Sequence, residues 1–143
     1  MIVYLDTSAL VKLFATEAHS DRVRRAVSKA QLTITHAIAY VEACAAFARA
    51  ALAREDAALF SVLRGNLDLQ WRAWEILEAS EPLIRRAADF AGRYRLRGCD
   101  SLHLAAAELA FEAFRGQAPF HFVVFDEQLS AAAKQSAIPV LGV

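Results

Sequence analysis

Four of the 16 acidic residues stand where a carboxylate does not serve an ordinary surface helix. Asp6 follows directly on the uncharged run Met1–Leu5, and Asp126 follows the apolar run His121–Phe125. Glu42 lies inside Ala37–Ala53, where its neighbours at three and four positions are Ile38, Ala39, Ala45 and Ala46 and the only cation is Arg49. A carboxylate on an apolar helix with no such partner has an unmet desolvation cost. Asp100 follows Arg97-Gly98 and opens a helical run. Asp6 and Asp100 also read as helix caps and Glu42 as a rim residue, and Glu127 is an alternative functional acid to Asp126, which is nearer the strand end. Brought together, the four would repel one another unless a cation neutralised them. The donors are oxygen, without a thiolate pair or paired histidines, which selects Mg²⁺ or Mn²⁺ over Zn²⁺. A hard divalent ion held by carboxylates, with positions left for water and phosphate, is machinery for phosphodiester hydrolysis.

Such residues need elements to carry them. Short apolar runs at Ile2–Leu5, Leu32–Thr35, Ala73–Leu77, His121–Phe125 and Val140–Val143 read as strands covered on both faces. Between them lie segments of helical period. Pro82–Arg95 repeats Leu83, Ile84, Ala87, Ala88, Ala91 and Tyr94 behind Ser80 as N-cap. Ser101–Arg115 has an apolar and a charged face, and Ala37–Ala53, apolar nearly all round, is expected to be the most buried helix. Strands alternating with helices give an α/β fold with a mainly parallel sheet and dominant helix content. If the fourth strand returns beside the first, Asp6 and Asp126 flank the switch point where ligands bind in such sheets.

Composition narrows the classes. The 143 residues suit one domain, 1–143, and 31 alanines account for much of the 57% hydrophobic content. Basic and acidic residues balance at 16 each, against a protein held on nucleic acid by bulk charge. The longest stretch free of Asp, Glu, Lys and Arg is Ala30–Val41, too short for a membrane span. With no basic segment ahead of Met1–Leu5 and no paired motif for Cys44 and Cys99, a cytoplasmic protein is expected.

The residues also carry a resemblance. Ile2-Val3-Tyr4-Leu5-Asp6-Thr7-Ser8-Ala9-Leu10 resembles the opening of PIN-domain nucleases, particularly the VapC-like toxins of bacterial toxin–antitoxin pairs. Leu96-Arg97-Gly98-Cys99-Asp100-Ser101-Leu102-His103-Leu104-Ala105 is similar to the third acidic motif of that family, Tyr40-Val41-Glu42 to the second, and Phe125-Asp126-Glu127-Gln128-Leu129 to the fourth. The resemblance implies a three-layer α/β/α fold with a five-stranded parallel sheet in the order 3-2-1-4-5. It also implies a Mg²⁺- or Mn²⁺-dependent ribonuclease whose acidic residues are Asp6, Glu42, Asp100 and Asp126. A homodimer and a cognate antitoxin, its tail covering the active site, are implied as partners alongside RNA. Many members place Ser or Thr two residues before the last Asp, where this chain has Val124, so orientation there falls to Thr7 or Ser8.

Other residues are read against this frame. Arg97 is the best placed arginine for RNA, whereas Arg85 and Arg93, each four residues from Asp89, suit a salt-bridged helix face. His103, one turn past Asp100, reads as packed rather than as a general base, since metal-bound water needs none. Cys99 reads as a small buried residue beside the site. Phe60, Leu63, Leu67, Trp71 and Trp74 gather enough apolar surface to suggest a protein contact. Haloacid-dehalogenase-type phosphatases need a second Asp where Ser8 stands, and receiver domains need paired acids and a late Lys that are not in place. A stand-alone RNA-processing nuclease and a non-catalytic module of the same fold remain as alternatives, Glu42 arguing against the latter.

Overall fold

The computed structural model describes residues 1–142. Twelve elements follow in the order β1 Ile2–Leu5, α1 Thr7–Phe14, α2 Ser20–Ser28, β2 Leu32–His36, α3 Ile38–Ala53, α4 Leu59–Trp71, β3 Glu75–Leu77, α5 Glu81–Tyr94, α6 Gly98–Phe114, β4 Phe120–Val124, α7 Glu127–Gln135 and β5 Val140–Gly142. The sheet has five parallel strands in the order β3-β2-β1-β4-β5, as the resemblance implies. The chain steps outward through β2 and β3, then returns past β1 with β4. The switch point lies between β1 and β4, where Leu5 stands level with Val123.

Side-chain alternation along the strands divides the core in two. Ile2, Tyr4, Phe120, Phe122 and Val124 pack against α5, α6 and α7. Val3, Leu5 and Val123 pack against α1 to α4. The alanines let helices lie close to the sheet: Ala105, Ala106 and Ala107 are all buried on α6. Gly142 has a φ of +151°, and a Cβ there would lie 1.7 Å from the Val124 carbonyl oxygen, so β5 can pair with β4 only through glycine. Among the described residues no helix is long and apolar enough to cross a membrane.

Several boundaries and burial expectations are corrected. The last strand is described over Val140–Gly142, and the expected Val143 lies outside the described residues. The expected strand Ala73–Leu77 shortens to three residues, because Ala73 and Trp74 still belong to the turn after α4. The most buried helix is α6, not α3: α3 exposes Val41 and Leu52, whereas α6 runs between the sheet and α5. Leu63 and Leu67 are core residues, and Phe60, Trp71 and Trp74 pack partly buried against them, so the expected apolar patch is folded inward. The helix face is salt-bridged as expected, but Arg85 pairs with Glu81 rather than with Asp89, and Arg86 pairs with Glu108.

Candidate active site

Asp6, Glu42, Asp100 and Asp126 come from four elements and line one cleft of about 340 Å³ at the carboxyl ends of β1 and β4. Glu127, the alternative to Asp126, is exposed in the first turn of α7 and does not line it. The N-termini of α1, α6 and α7 open here, so their unpaired N–H groups face the acids.

Asp6 is 3% exposed and serves two purposes. It caps α1 by accepting from the Ala9 N–H at 2.8 Å, as its structural reading requires, and it still faces the cleft. The Ser8 hydroxyl reaches both its oxygens, at 2.7 and 2.8 Å. Ser8 Oγ in turn accepts from the Phe125 N–H at 2.9 Å, tying the first turn of α1 to the segment after β4. Burial pushes the Asp6 carboxyl up to about 6, against the opposing pull of His103, the Ala9 N–H and Ser8. Asp126 repeats the pattern on α7, accepting from the Leu129 N–H at 2.8 Å.

Glu42 finds its missing partners on other elements. Thr7 Oγ1 donates to Oε2 at 2.6 Å, and His103 Nε2 lies 3.2 Å from the same oxygen. Burial acts to raise its pKa, but the His103 and Thr7 hydrogen bonds outweigh it and hold the carboxyl below the usual range. The Cys99 thiol also reaches Glu42, and burial followed by that negative charge pushes the thiol up; Cys99 is exposed rather than buried.

Asp100 is not the N-cap of α6. The helix starts at Gly98 with Arg97 as the cap residue, which places Asp100 in the first turn. The Arg97 guanidinium binds Asp100 Oδ2 at 2.7 Å and lies 3.9 Å from Asp126 Oδ2, bridging two helices. It sits 79% exposed at the cleft mouth. Val124 is fully buried against α6 and α7, so the hydroxyls at the site are those of Thr7 and Ser8, as the sequence requires.

Among the described residues no three His, Cys, Asp or Glu side chains form a ready-made metal cluster. Each carboxylate is held by its own partner, and the cleft separates them. The donor set is oxygen and the most buried member, Asp6, has no cationic side chain bonded to it, which fits a hard divalent cation. Lys12 and Arg49 also line the cleft and were not singled out by the sequence. Arg49 was visible only as the lone cation of its helix. Tyr4, in hydrogen-bond contact with His103, read simply as a strand residue.

Comparison with known proteins agrees with this architecture. Residues 3–135 match the family model described as PIN domain. Ribonuclease VapC45 and ribonuclease VapC49 of Mycobacterium tuberculosis are each 32% identical over 108 residues, covering 74% of this chain and 74% of their own. Among solved structures, FitAcB from Neisseria gonorrhoeae superimposes with a TM-score of 0.70 at 18% identity, covering 99% of this chain and 97% of its own. The Mycobacterium tuberculosis toxin VapC20, described as cleaving the sarcin–ricin loop, does so with 0.66 at 17% identity, covering 91% and 94%. With a match spanning nearly the whole chain and an acid-lined cleft at the switch point of a 3-2-1-4-5 sheet, this protein belongs to the PIN domain family.

Proposed function

We propose that the chain is a single-domain, metal-dependent endoribonuclease and the toxin of a VapBC-type toxin–antitoxin pair. The observation that carries this reading is the convergence of Asp6, Glu42, Asp100 and Asp126 from four elements on one cleft. Curated relatives named as VapC ribonucleases support the choice of RNA as substrate. Asp6, Glu42, Asp100 and Asp126 would hold Mg²⁺ or Mn²⁺, which supplies a nucleophilic water and charge neutralisation for the phosphate. The chain's own residues do the rest. Thr7 and Ser8 orient Glu42 and Asp6, and the caps on α1 and α7 hold two acids in fixed rotamers. Arg97 and Arg49, which line the same cleft, offer guanidinium forks to the RNA backbone.

The proposed partners are RNA, a cognate antitoxin and a second copy of the chain, in the cytoplasm. A guanidinium already fits between Asp100 and Asp126, which supports an antitoxin that inserts a basic side chain there. The test is cleavage of total RNA by the purified chain with Mg²⁺ or Mn²⁺, with EDTA, and as Asp100→Asn. Activity that needs the metal and disappears in the variant is expected; undiminished cleavage in excess chelator would sink the reading. A stand-alone RNA-processing enzyme would share these residues, and failure of any co-expressed neighbouring protein to inhibit cleavage would favour it.

A further inference from the structure

His103 is 1% exposed, on α6 one turn past Asp100, and an imidazole so enclosed must satisfy both nitrogens within the protein. Nε2 lies 3.0 Å from Thr7 Oγ1 and 3.2 Å from Glu42 Oε2. Thr7 gives its own proton to Glu42, so both atoms facing Nε2 are acceptors and Nε2 carries the ring proton. Nδ1 is then free to accept the Tyr4 O–H, 3.0 Å away. Donation runs in one direction, from Tyr4 through His103 to Glu42 and Thr7.

Tyr4 has 0% exposure, sits on the central strand and is not part of the cleft wall. Its ring meets His103 edge-on at 6.0 Å and Phe122 edge-on at 5.4 Å, which fixes where the hydroxyl points. Rotation of the imidazole by half a turn would break both sets of bonds at once. At the other end, the Thr7 and His103 bonds both land on Oε2 of Glu42, so the carboxylate is stopped about its last bond and Oε1 is left by both groups.

We propose that His103, fixed by Tyr4, is a positioning residue that presents the Glu42 carboxylate to a divalent cation. Neither ring touches the cation. The inference rests on the reading of Glu42 as a metal-holding residue, and its warrant is the general behaviour of groups hydrogen-bonded to ligands, whose loss weakens metal binding about 10–100-fold. It also accounts for an aromatic hydroxyl and an imidazole hydrogen-bonded to one another while both are buried.

The experiment uses the full chain freed of metal. Mn²⁺ binding is followed by the electron paramagnetic resonance signal of the free ion, for Tyr4→Phe, His103→Gln and His103→Leu. Each is made alone and with Glu42→Gln, and folding is checked by circular dichroism. His103→Leu is expected to weaken Mn²⁺ binding about ten-fold, Tyr4→Phe by about three-fold, and His103→Gln to recover most of the loss through its amide N–H. In the Glu42→Gln background Tyr4→Phe and His103→Leu should change nothing further. Wild-type affinity in folded Tyr4→Phe and His103→Leu would overturn the proposal, as would equal losses with and without Glu42. If His103→Leu does not fold, the Tyr4→Phe cycle decides by the same criteria. Coupling found in a wild-type protein that cleaves no RNA would sink the ribonuclease reading and leave this one standing.

Discussion

Asp6 and Asp126 cap the helices that leave two adjacent parallel strands, and each accepts from the backbone N–H three residues on at 2.8 Å. The cap and the cleft therefore use the same carboxylate, and substitutions can separate the two uses. Asn retains a capping oxygen but loses the charge. Asp6→Asn and Asp126→Asn should abolish most metal-dependent RNA cleavage while leaving the urea midpoint near or above wild type. Asp6→Ala and Asp126→Ala should lose activity and also about 1 kcal/mol of stability. Wild-type turnover in either Asn variant would remove that residue from the catalytic set.

The pH dependence of stability follows from the same buried acid. The folded-state pKa of Asp6, about 6, lies above its ordinary value, so the folded protein holds this proton more tightly than the unfolded chain. The resulting stabilisation is complete below the unfolded value near pH 4 and is lost as pH rises through about 6. For metal-free protein this amounts to roughly 3 kcal/mol. Glu42 works the other way: its lowered pKa contributes stability above the ordinary carboxylate value that disappears on acidification. Urea unfolding in EDTA from pH 4 to 7.5 should show wild type losing stability relative to Asp6→Asn. Parallel curves would mean that Asp6 ionises without cost.

Arg97 offers a second separation. Its guanidinium neutralises Asp100 and approaches Asp126, so it competes for the charge that a cation would take. Arg97→Gln should bind Mn²⁺ a few-fold more tightly while binding a non-cleaved RNA analogue more weakly. Calorimetry with each ligand measures both directions, and unchanged affinity for either would remove Arg97 from that contest.

Cys99 is exposed, yet burial of its sulfur and the Glu42 carboxylate raise the thiol pKa and lower its thiolate fraction at neutral pH. Iodoacetamide should modify Cys99 more slowly than a free thiol, and Glu42→Gln should speed the reaction several-fold. Mass spectrometry of timed samples measures both rates. Equal rates in the two proteins would show that Glu42 does not govern the thiol.

The backbone plan was legible because short apolar runs and helical periods alternate cleanly along the chain. The resemblance supplied the strand order that periodicity alone left conditional. Asp6, Glu42 and Asp126 were legible because each ends or interrupts an apolar run, whereas Asp100, beside Arg97 and Gly98, stood out through the resemblance. The partner of Glu42 was not: an i±4 search sees only its own helix, whereas Thr7 and His103 arrive from α1 and α6. Tyr4 was hidden for the opposite reason, since a tyrosine in a buried strand looks like core until its hydroxyl is followed to a partner. The burial of α3 was overread, because an apolar sequence all round does not guarantee neighbours all round.

The sheet order also sets a timetable. The central strand β1 is the first of the five strands along the chain, but one of its two neighbours, β4, begins at Phe120. The hydrogen bonds from Asp6 N–H to the Val123 carbonyl and from Phe125 N–H to Ser8 Oγ must wait for that late segment. Distant pairings of this kind form slowly and require most of the chain. A growing polypeptide that has reached α6 therefore carries Asp6, Glu42 and Asp100 without a complete cleft, and the fourth acid joins them only once β4 and the start of α7 have followed.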